Sequence, residues 1–346
     1  MIVVSGYHGY GNLGDEAILK VLCEGLTDLG VSRQDIVVLT GNKDYTRTVH
    51  GVQTVDRYNA SQIWQILGQA TLLISGGGSL FQDVTSKRSI PYYLGIIEMG
   101  LRRNVPLVLY GHGIGPIGAG LYKKLVARVF RRSVGFTVRD SYSAQFLEKH
   151  KVPVPADART VDPVFQWAAT NVSRQSRGKP IVGLNLRPYP KWRQQFRNWV
   201  QVLNLVFAQG CVLRFIPIGP GDAELGRMLK RHLPQLQLGE PLGLNNFREE
   251  LGQLELFISM RLHGVILGAL SGAVPIAVNY DPKIHSACEQ LGSRWVELVE
   301  LDLVPRLTQE VLQNIDLNRK QQTHQLEQLR QYAARNQDLL RQVLEG

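Results

Sequence analysis

A chain of 346 residues, 44% hydrophobic and 20% charged, is long enough for two buried cores and too apolar for a disordered protein. Its formal charge of +10 points to anionic partners such as phosphorylated metabolites, acidic glycans or an anionic lipid surface, although excess Lys and Arg also serve solubility. The basic residues are dispersed and carry no RNP, zinc-finger or helix-turn-helix signature, which sets nucleic acid aside.

Residues 1–4, Met-Ile-Val-Val, read as a first strand with no signal segment before them, so a cytoplasmic protein is expected, touching a membrane surface at most. Cys23, Cys211 and Cys288 are odd in number and widely spaced, which suits a reducing compartment rather than a disulfide framework. The stretch Gly9-Tyr10-Gly11-Asn12-Leu13-Gly14 fits G-x-G-x-x-G, the spacing at which a strand-to-helix turn presents backbone N–H groups to a pyrophosphate. The helix then opens on Asp15 and Glu16, whose carboxylates suit its dipole but compete with a phosphate for the same N–H groups. A dinucleotide site further needs an acid at the end of the second strand to hold a ribose, and Ile36-Val37-Val38-Leu39-Thr40-Gly41 offers only Thr40. A P-loop signature is absent.

Apolar, β-branched runs at 1–4, 35–39, 71–75, 106–110 and 134–138 alternate with helical stretches, the pattern of a parallel sheet. Several end in glycine, at Gly6, Gly76-Gly77-Gly78, Gly111 and Gly113, and read as turns at strand ends, where open α/β sheets bind ligands. In Val138-Arg139-Asp140-Ser141 a guanidinium stands at a strand end while Asp140 or Ser141 caps the next helix. Residues 171–180 are polar, basic and rich in turn formers, hence a linker.

A second series follows, with strands at 181–186, 211–218, 254–259 and 274–279 and helices at 192–209, 222–233, 261–270 and 282–291. The uncharged run 262–280 nearly matches a bilayer span, but His263, its small and polar breaks and Pro275 make it a buried helix followed by a buried strand. Arg261 and His263, in Ser259-Met260-Arg261-Leu262-His263-Gly264, stand at a strand-to-helix junction where a guanidinium meets phosphate or carboxylate and an imidazole can move a proton. An isolated histidine is as readily a satisfied core residue. Lys283, in Asn279-Tyr280-Asp281-Pro282-Lys283, has the same placement at the next strand end, against the preference of a helix dipole, and a second anionic group is its natural partner. Arg187 is a weaker site residue of this kind. Without H-E-x-x-H, C-x-x-C or D-x-D, no metal is expected. Residues 318–344 read as one long amphipathic helix, packing back on the first domain.

The expected architecture is α/β: two Rossmann-like domains with parallel sheets facing a central cleft, GT-B-like, and a long C-terminal helix. The boundaries are 1–170 for the N-terminal domain, 171–180 for the linker, 181–317 for the C-terminal domain and 318–346 for the terminal helix.

Gly9 to Ala17, Ser75-Gly76-Gly77-Gly78-Ser79-Leu80-Phe81-Gln82-Asp83, Tyr110-Gly111-His112-Gly113-Ile114-Gly115-Pro116, Val138-Arg139-Asp140-Ser141, Asp162-Pro163 and Arg261-Leu262-His263, in that order, resemble the polysaccharide pyruvyl transferase family, CsaB-like bacterial members above all. The family pattern leads one to expect glutamine at position 112, where this chain has histidine. The resemblance implies an enzyme that moves the pyruvyl group of phosphoenolpyruvate onto two hydroxyls of a sugar, closing a cyclic ketal and releasing phosphate, without nucleotide sugar or cofactor. The acceptor would be a cell-wall or extracellular polysaccharide precursor, in some members lipid-linked. Carried over, Arg139 and Arg261 would hold the donor's phosphate or carboxylate, with Lys283 and His263 at the pyruvyl group and His263 as general acid. The N-terminal domain would be the acceptor side, with Asn12 and Glu16 binding the sugar and Asp15 a base for its hydroxyl. Two rival readings are a GT-B glycosyltransferase using a nucleotide sugar and a non-enzymatic module that binds anionic glycans.

Overall fold

The computed structural model describes residues 1–84, 86–170, 178–189 and 192–346. Most of the expected linker, residues 171–177, lies outside them. Two compact units emerge: the first comprises Met1–Tyr10, Asp15–Gln166 and Gln331–Gly346, the second Gly11–Gly14 and Trp167–Arg330.

The first unit is built on strands β1 (Ile2–His8), β2 (Ile36–Thr40), β3 (Gln53–Asp56), β4 (Leu72–Ser75), β5 (Gly78–Phe81), β6 (Leu107–Ile114) and β7 (Gly135–Val138). They form one sheet in the order β3-β2-β1-β4-β6-β5, with β7 also on β6, and every pairing is parallel. Parallel strands are covered by helices on both faces, so their Val, Ile and Leu runs are buried throughout. Side chains alternate between the faces. Val3, Val37 and Leu73 therefore enter one core with Phe81 and Phe130, while Ile2, Val4, Ile36, Val38 and Ile74 enter the other with Leu19 and Leu22.

The second unit carries β8 (Ile181–Asn185), β9 (Val212–Phe215), β10 (Gln237–Leu238), β11 (Leu256–Ser259), β12 (Val274–Asn279) and β13 (Arg294–Glu297), again all parallel, in the order β10-β9-β8-β11-β12-β13. One face of it packs Val182, Leu184, Leu213, Phe215, Ile258 and Ile276 against Trp199 and Leu229. In each sheet the strand order reverses once, between β1 and β4 and between β8 and β11. The carboxyl ends at such a reversal are where open α/β sheets leave room for a ligand.

The run 262–280 resolves into the helix Leu262–Leu270 and strand β12, both buried, and no described helix is long and apolar enough to cross a membrane. The terminal helix spans Ile315–Glu345. In the second unit its Gln322 donates to the carbonyls of Ala269 and Ala273 (3.0 Å each). In the first unit its Asn336, fully buried, accepts from Thr137 Oγ1 (2.6 Å) and donates to the Val161 carbonyl (3.3 Å).

Gly111 and Gly113 are not a turn, contrary to the sequence expectation: β6 continues through them to Ile114. A side chain at Gly113 would sit 2.8 Å from Arg139 Nε and one at Gly111 would sit 2.4 Å from the Pro163 ring, so close packing requires these glycines. His112 between them is fully buried, with Nε2 3.1 Å from the Ser75 carbonyl and its ring stacked on Phe81 at 4.9 Å. Burial, with a smaller contribution from Arg139, pushes its pKa down from 6.5 to about 3. The native state therefore refuses a proton that the unfolded chain accepts below pH 6.5, and the resulting stability is lost as pH falls toward 3. A glutamine at this position cannot titrate. His112→Gln is expected to lose about 2 kcal/mol less stability than the parent between pH 7 and pH 5, as read from urea unfolding at the two pH values.

Candidate functional site

At the reversal in the second sheet, the carboxyl ends of β8 and β11 are tied together by one carboxylate. Asp222, fully buried at the start of the helix Asp222–His232, accepts through Oδ2 from the amides of Ile218 (3.1 Å) and Gly219 (3.0 Å) and from Asn185 Nδ2 (3.0 Å). Arg261 closes on it bidentately, Nε to Oδ2 at 2.7 Å and Nη2 to Oδ1 at 2.6 Å. Arg261 is the N-cap residue of the helix Leu262–Leu270 and not its first turn, and its own amide donates to Ser259 Oγ (3.1 Å). The guanidinium lies against Gly219, where a Cβ would stand 2.7 Å from Cζ. One edge of the guanidinium is thus committed, and among the described residues Nη1 meets no acceptor.

His263 is the second residue of that helix and half-buried. Gly14 packs on it within the same unit, so closely that a Cβ there would be 2.0 Å from Nδ1. The Leu13 amide donates to the Ile218 carbonyl (3.3 Å), and Asn12, half-buried, belongs to the same unit. The glycine of the fingerprint therefore serves contact with an imidazole. Lys283 stands at the neighbouring strand end, in the first turn of the helix Pro282–Leu291, with Nζ 3.2 Å from Oδ2 of the N-cap residue Asp281. Between these, Arg187 donates from Nη1 to the Tyr280 hydroxyl, and burial raises the Tyr280 pKa. Arg261, His263 and Lys283 thus share the carboxyl edge of adjacent strands β11 and β12.

The first unit holds Asp15, Glu16 and Arg139. The pyrophosphate turn is occupied from within: Glu16 Oε1 accepts from the Gly9 amide (2.8 Å) and Oε2 lies 2.9 Å from His50 Nε2, with the carboxylate 1% exposed. Gly9 has φ of 80° and a Cβ there would collide with Thr40 Oγ1 at 2.2 Å, so the turn needs glycine for its own shape. His8, at the end of β1, is buried against Gly6, and burial lowers its pKa to about 4, so it is neutral at physiological pH. Asp15 is half-buried, with Oδ1 3.3 Å from the Cβ position of Gly78. Arg139 is 4% exposed and bound to Asp162 Oδ2 (2.5 Å) and Ser79 Oγ (2.9 Å), while Asp140 caps the helix Ser141–Lys149 by accepting from the Ser143 amide (2.7 Å).

Sequence reading passed over Asp222, Asn185, Ser79, His8 and His50. Asp222 offered one signal, an acid following Gly219-Pro220-Gly221 between a strand and a helix. Asp162 stood in a quoted motif but carried no role until its pairing with Arg139 was visible.

Two parallel sheets, each with one strand-order reversal, and a guanidinium held on a buried carboxylate at the second of these reversals define a doubly wound α/β protein. Solved structures share this fold: HepE of Anabaena in complex with UDP-glucose (TM-score 0.66, 12% identity, covering 100% of this chain and 99% of that one). A glycosyltransferase from Rickettsia africae has a TM-score of 0.62 at 12% identity over 99% of this chain and 96% of that one. The UDP-GlcNAc 2-epimerase from Methanocaldococcus jannaschii has a TM-score of 0.58 at 8% identity, covering 86% and 89%. These neighbours are GT-B-like, and the fold class is the one expected. The family follows from sequence: the model of the polysaccharide pyruvyl transferase family matches residues 12–282, and the chain belongs to that family. The amylovoran biosynthesis protein AmsJ of Erwinia amylovora is 25% identical over 259 residues, which cover 65% of this chain and 60% of that protein's length.

Removing Asp222 strands the Arg261 charge and two amides. Asp222→Ala is expected to destabilise the protein by about 3–5 kcal/mol, measured by guanidinium unfolding, with Asp222→Asn intermediate because it retains the shape and part of the bonding.

Proposed function

We propose that this protein transfers the pyruvyl group of phosphoenolpyruvate to two hydroxyls of one sugar in a polysaccharide precursor, closing a cyclic ketal and releasing phosphate. The observation that supports it most is Arg261, held rigid on Asp222 with Nη1 left for an anion, two residues before His263 at a helix N-terminus. Membership of the polysaccharide pyruvyl transferase family supplies the reaction class.

In this reading Arg261 and Lys283 bind the donor's phosphate and carboxylate. His263 gives a proton to the methylene carbon, which leaves an oxocarbenium centre at C2. A sugar hydroxyl adds there and loses its proton to Asp15. Phosphate then departs with the C–O bonding pair, its charge met by the cations, and regenerates the centre. The second hydroxyl adds and passes its proton to the His263 imidazole, closing the ring. Asn12 hydrogen-bonds the acceptor. Arg139 and Glu16, both nearly fully buried, act as positioning residues: one holds Ser79 and Asp162, the other shapes the Gly9 turn. The net charge of +10 supports an acceptor that is polyanionic or carried on a lipid, met at a membrane surface.

Incubation with phosphoenolpyruvate and a glycan acceptor is expected to release phosphate and add the pyruvyl mass to the glycan. His263→Ala should slow release by about 10²–10⁴-fold. Arg261→Lys should raise the phosphoenolpyruvate KM by about tenfold with a smaller effect on kcat. A thermal shift with UDP-sugars and none with phosphoenolpyruvate would overturn the proposal.

A further inference from the structure

A second feature of the first unit is centred on a buried cation. Arg57, directly after β3, is 4% exposed, and no carboxylate lies within 4 Å of it among the described residues. Its guanidinium is surrounded by five tyrosines, with ring centroids 5.7 Å (Tyr7), 5.4 Å (Tyr10), 5.6 Å (Tyr58), 4.2 Å (Tyr92) and 5.5 Å (Tyr93) from Cζ. Nη1 donates to the Gly6 carbonyl (3.2 Å) and Nη2 to the Tyr93 hydroxyl (3.3 Å). Electron-rich ring faces thus stand in for a counter-ion.

Two of the five rings are buried or half-buried as support, since the Tyr92 hydroxyl donates to the Arg57 carbonyl (2.9 Å) and Tyr93 is 3% exposed. Of the outer three, Tyr10 is half-buried and the other two are exposed. Tyr7 is 40% and Tyr58 72% exposed; Tyr10 stacks on Tyr7 at 4.4 Å and 14°, and its hydroxyl lies 3.1 Å from that of Tyr58. Residues 7, 10 and 58 are brought together at the carboxyl ends of β1 and β3, the ligand-facing edge of the sheet. Exposed large rings are disfavoured unless they meet a partner, and these are pre-organised by the buried cation beneath them. The Asp15 carboxylate is near enough to raise the Tyr7 pKa, after the larger effect of burial.

We propose that Tyr7, Tyr10 and Tyr58 form a saccharide platform that stacks one pyranose ring of the acceptor. A flat π face takes the axial C–H groups of a sugar, while the phenolic hydroxyls and the Asp15 carboxylate are the hydrogen-bonding groups that ring hydroxyls require. That carboxylate disfavours an anion at the same place. The assignment deepens the pyruvyl-transfer reading on its acceptor side, yet its test needs no donor.

Saturation-transfer NMR with the methyl glycosides of glucose, galactose and mannose is the measurement, with uridine as the competing flat ligand. Saturation is expected at the C–H groups of one pyranose face. Tyr58→Ala, at an exposed position and measured well below its own thermal midpoint, should weaken glycoside binding by about fivefold to tenfold, whereas Tyr58→Phe, which keeps the ring, should not. No transfer to any glycoside, equal transfer in Tyr58→Ala, or preference for uridine overturns the platform. Glycoside binding without phosphate release from phosphoenolpyruvate would leave the platform standing and defeat the pyruvyl reading. Phosphate release with an acceptor KM unchanged in Tyr58→Ala would do the reverse.

Discussion

One buried carboxylate organises the second unit. Asp222 is out of water, and an ionised carboxylate there is tolerable only if its oxygens are fully engaged. Its oxygens receive two main-chain amides, one side-chain amide and two of the three nitrogens of a guanidinium. These partners come from three places in the chain, so satisfying one charge fixes the end of β8, the turn after β9 and the junction between β11 and the helix Leu262–Leu270. Gly219, where a Cβ would strike the guanidinium, follows from that packing. The orientation of Arg261 is a consequence of Asp222.

The first unit uses the same device with a different outcome. Glu16 fills the amide-lined turn that a phosphate fills in dinucleotide-binding folds, and Asp162 engages the Arg139 guanidinium. Internal carboxylates thus engage the amide and the guanidinium at the carboxyl edge of this sheet, where the tyrosine rings and the half-buried Asp15 carboxylate also stand. A fingerprint usually tied to nucleotides becomes in this chain a turn closed on its own carboxylate. The motif's glycines persist because Gly9 needs a positive φ and Gly14 lies against an imidazole, reasons independent of any phosphate.

Periodicity and composition made much of the fold legible. The central strands read clearly because burial on both faces demands unbroken Val, Ile and Leu runs, and the helices Asp222–His232 and Pro282–Leu291 began where their acids and proline indicated. Edge strands escaped notice: Gln53–Asp56 and Arg294–Glu297 are short and mixed in polarity, since only part of each is covered. Strand β5 was hidden inside a glycine motif that looked like a turn. The placement of Arg261, His263 and Lys283 at strand-to-helix junctions was legible because each follows an apolar run and opens a helical one.

What the amino-acid order determined alone was therefore local: which segments alternate as strand and helix, where helices start, and which reactive side chains stand at strand ends. Only tertiary structure decided how those side chains are engaged. Arg139 and Glu16 look as available as Arg261 when read along the chain, yet partners 23 and 34 residues away bury them. Arg57 gave no signal at all, because a cation held by five rings drawn from positions 7, 10, 58, 92 and 93 exists only once three strands and a helix have come together. The physical reason is common to each case. A charge's role depends on which groups remove it from water, and those groups are neighbours in space rather than in sequence.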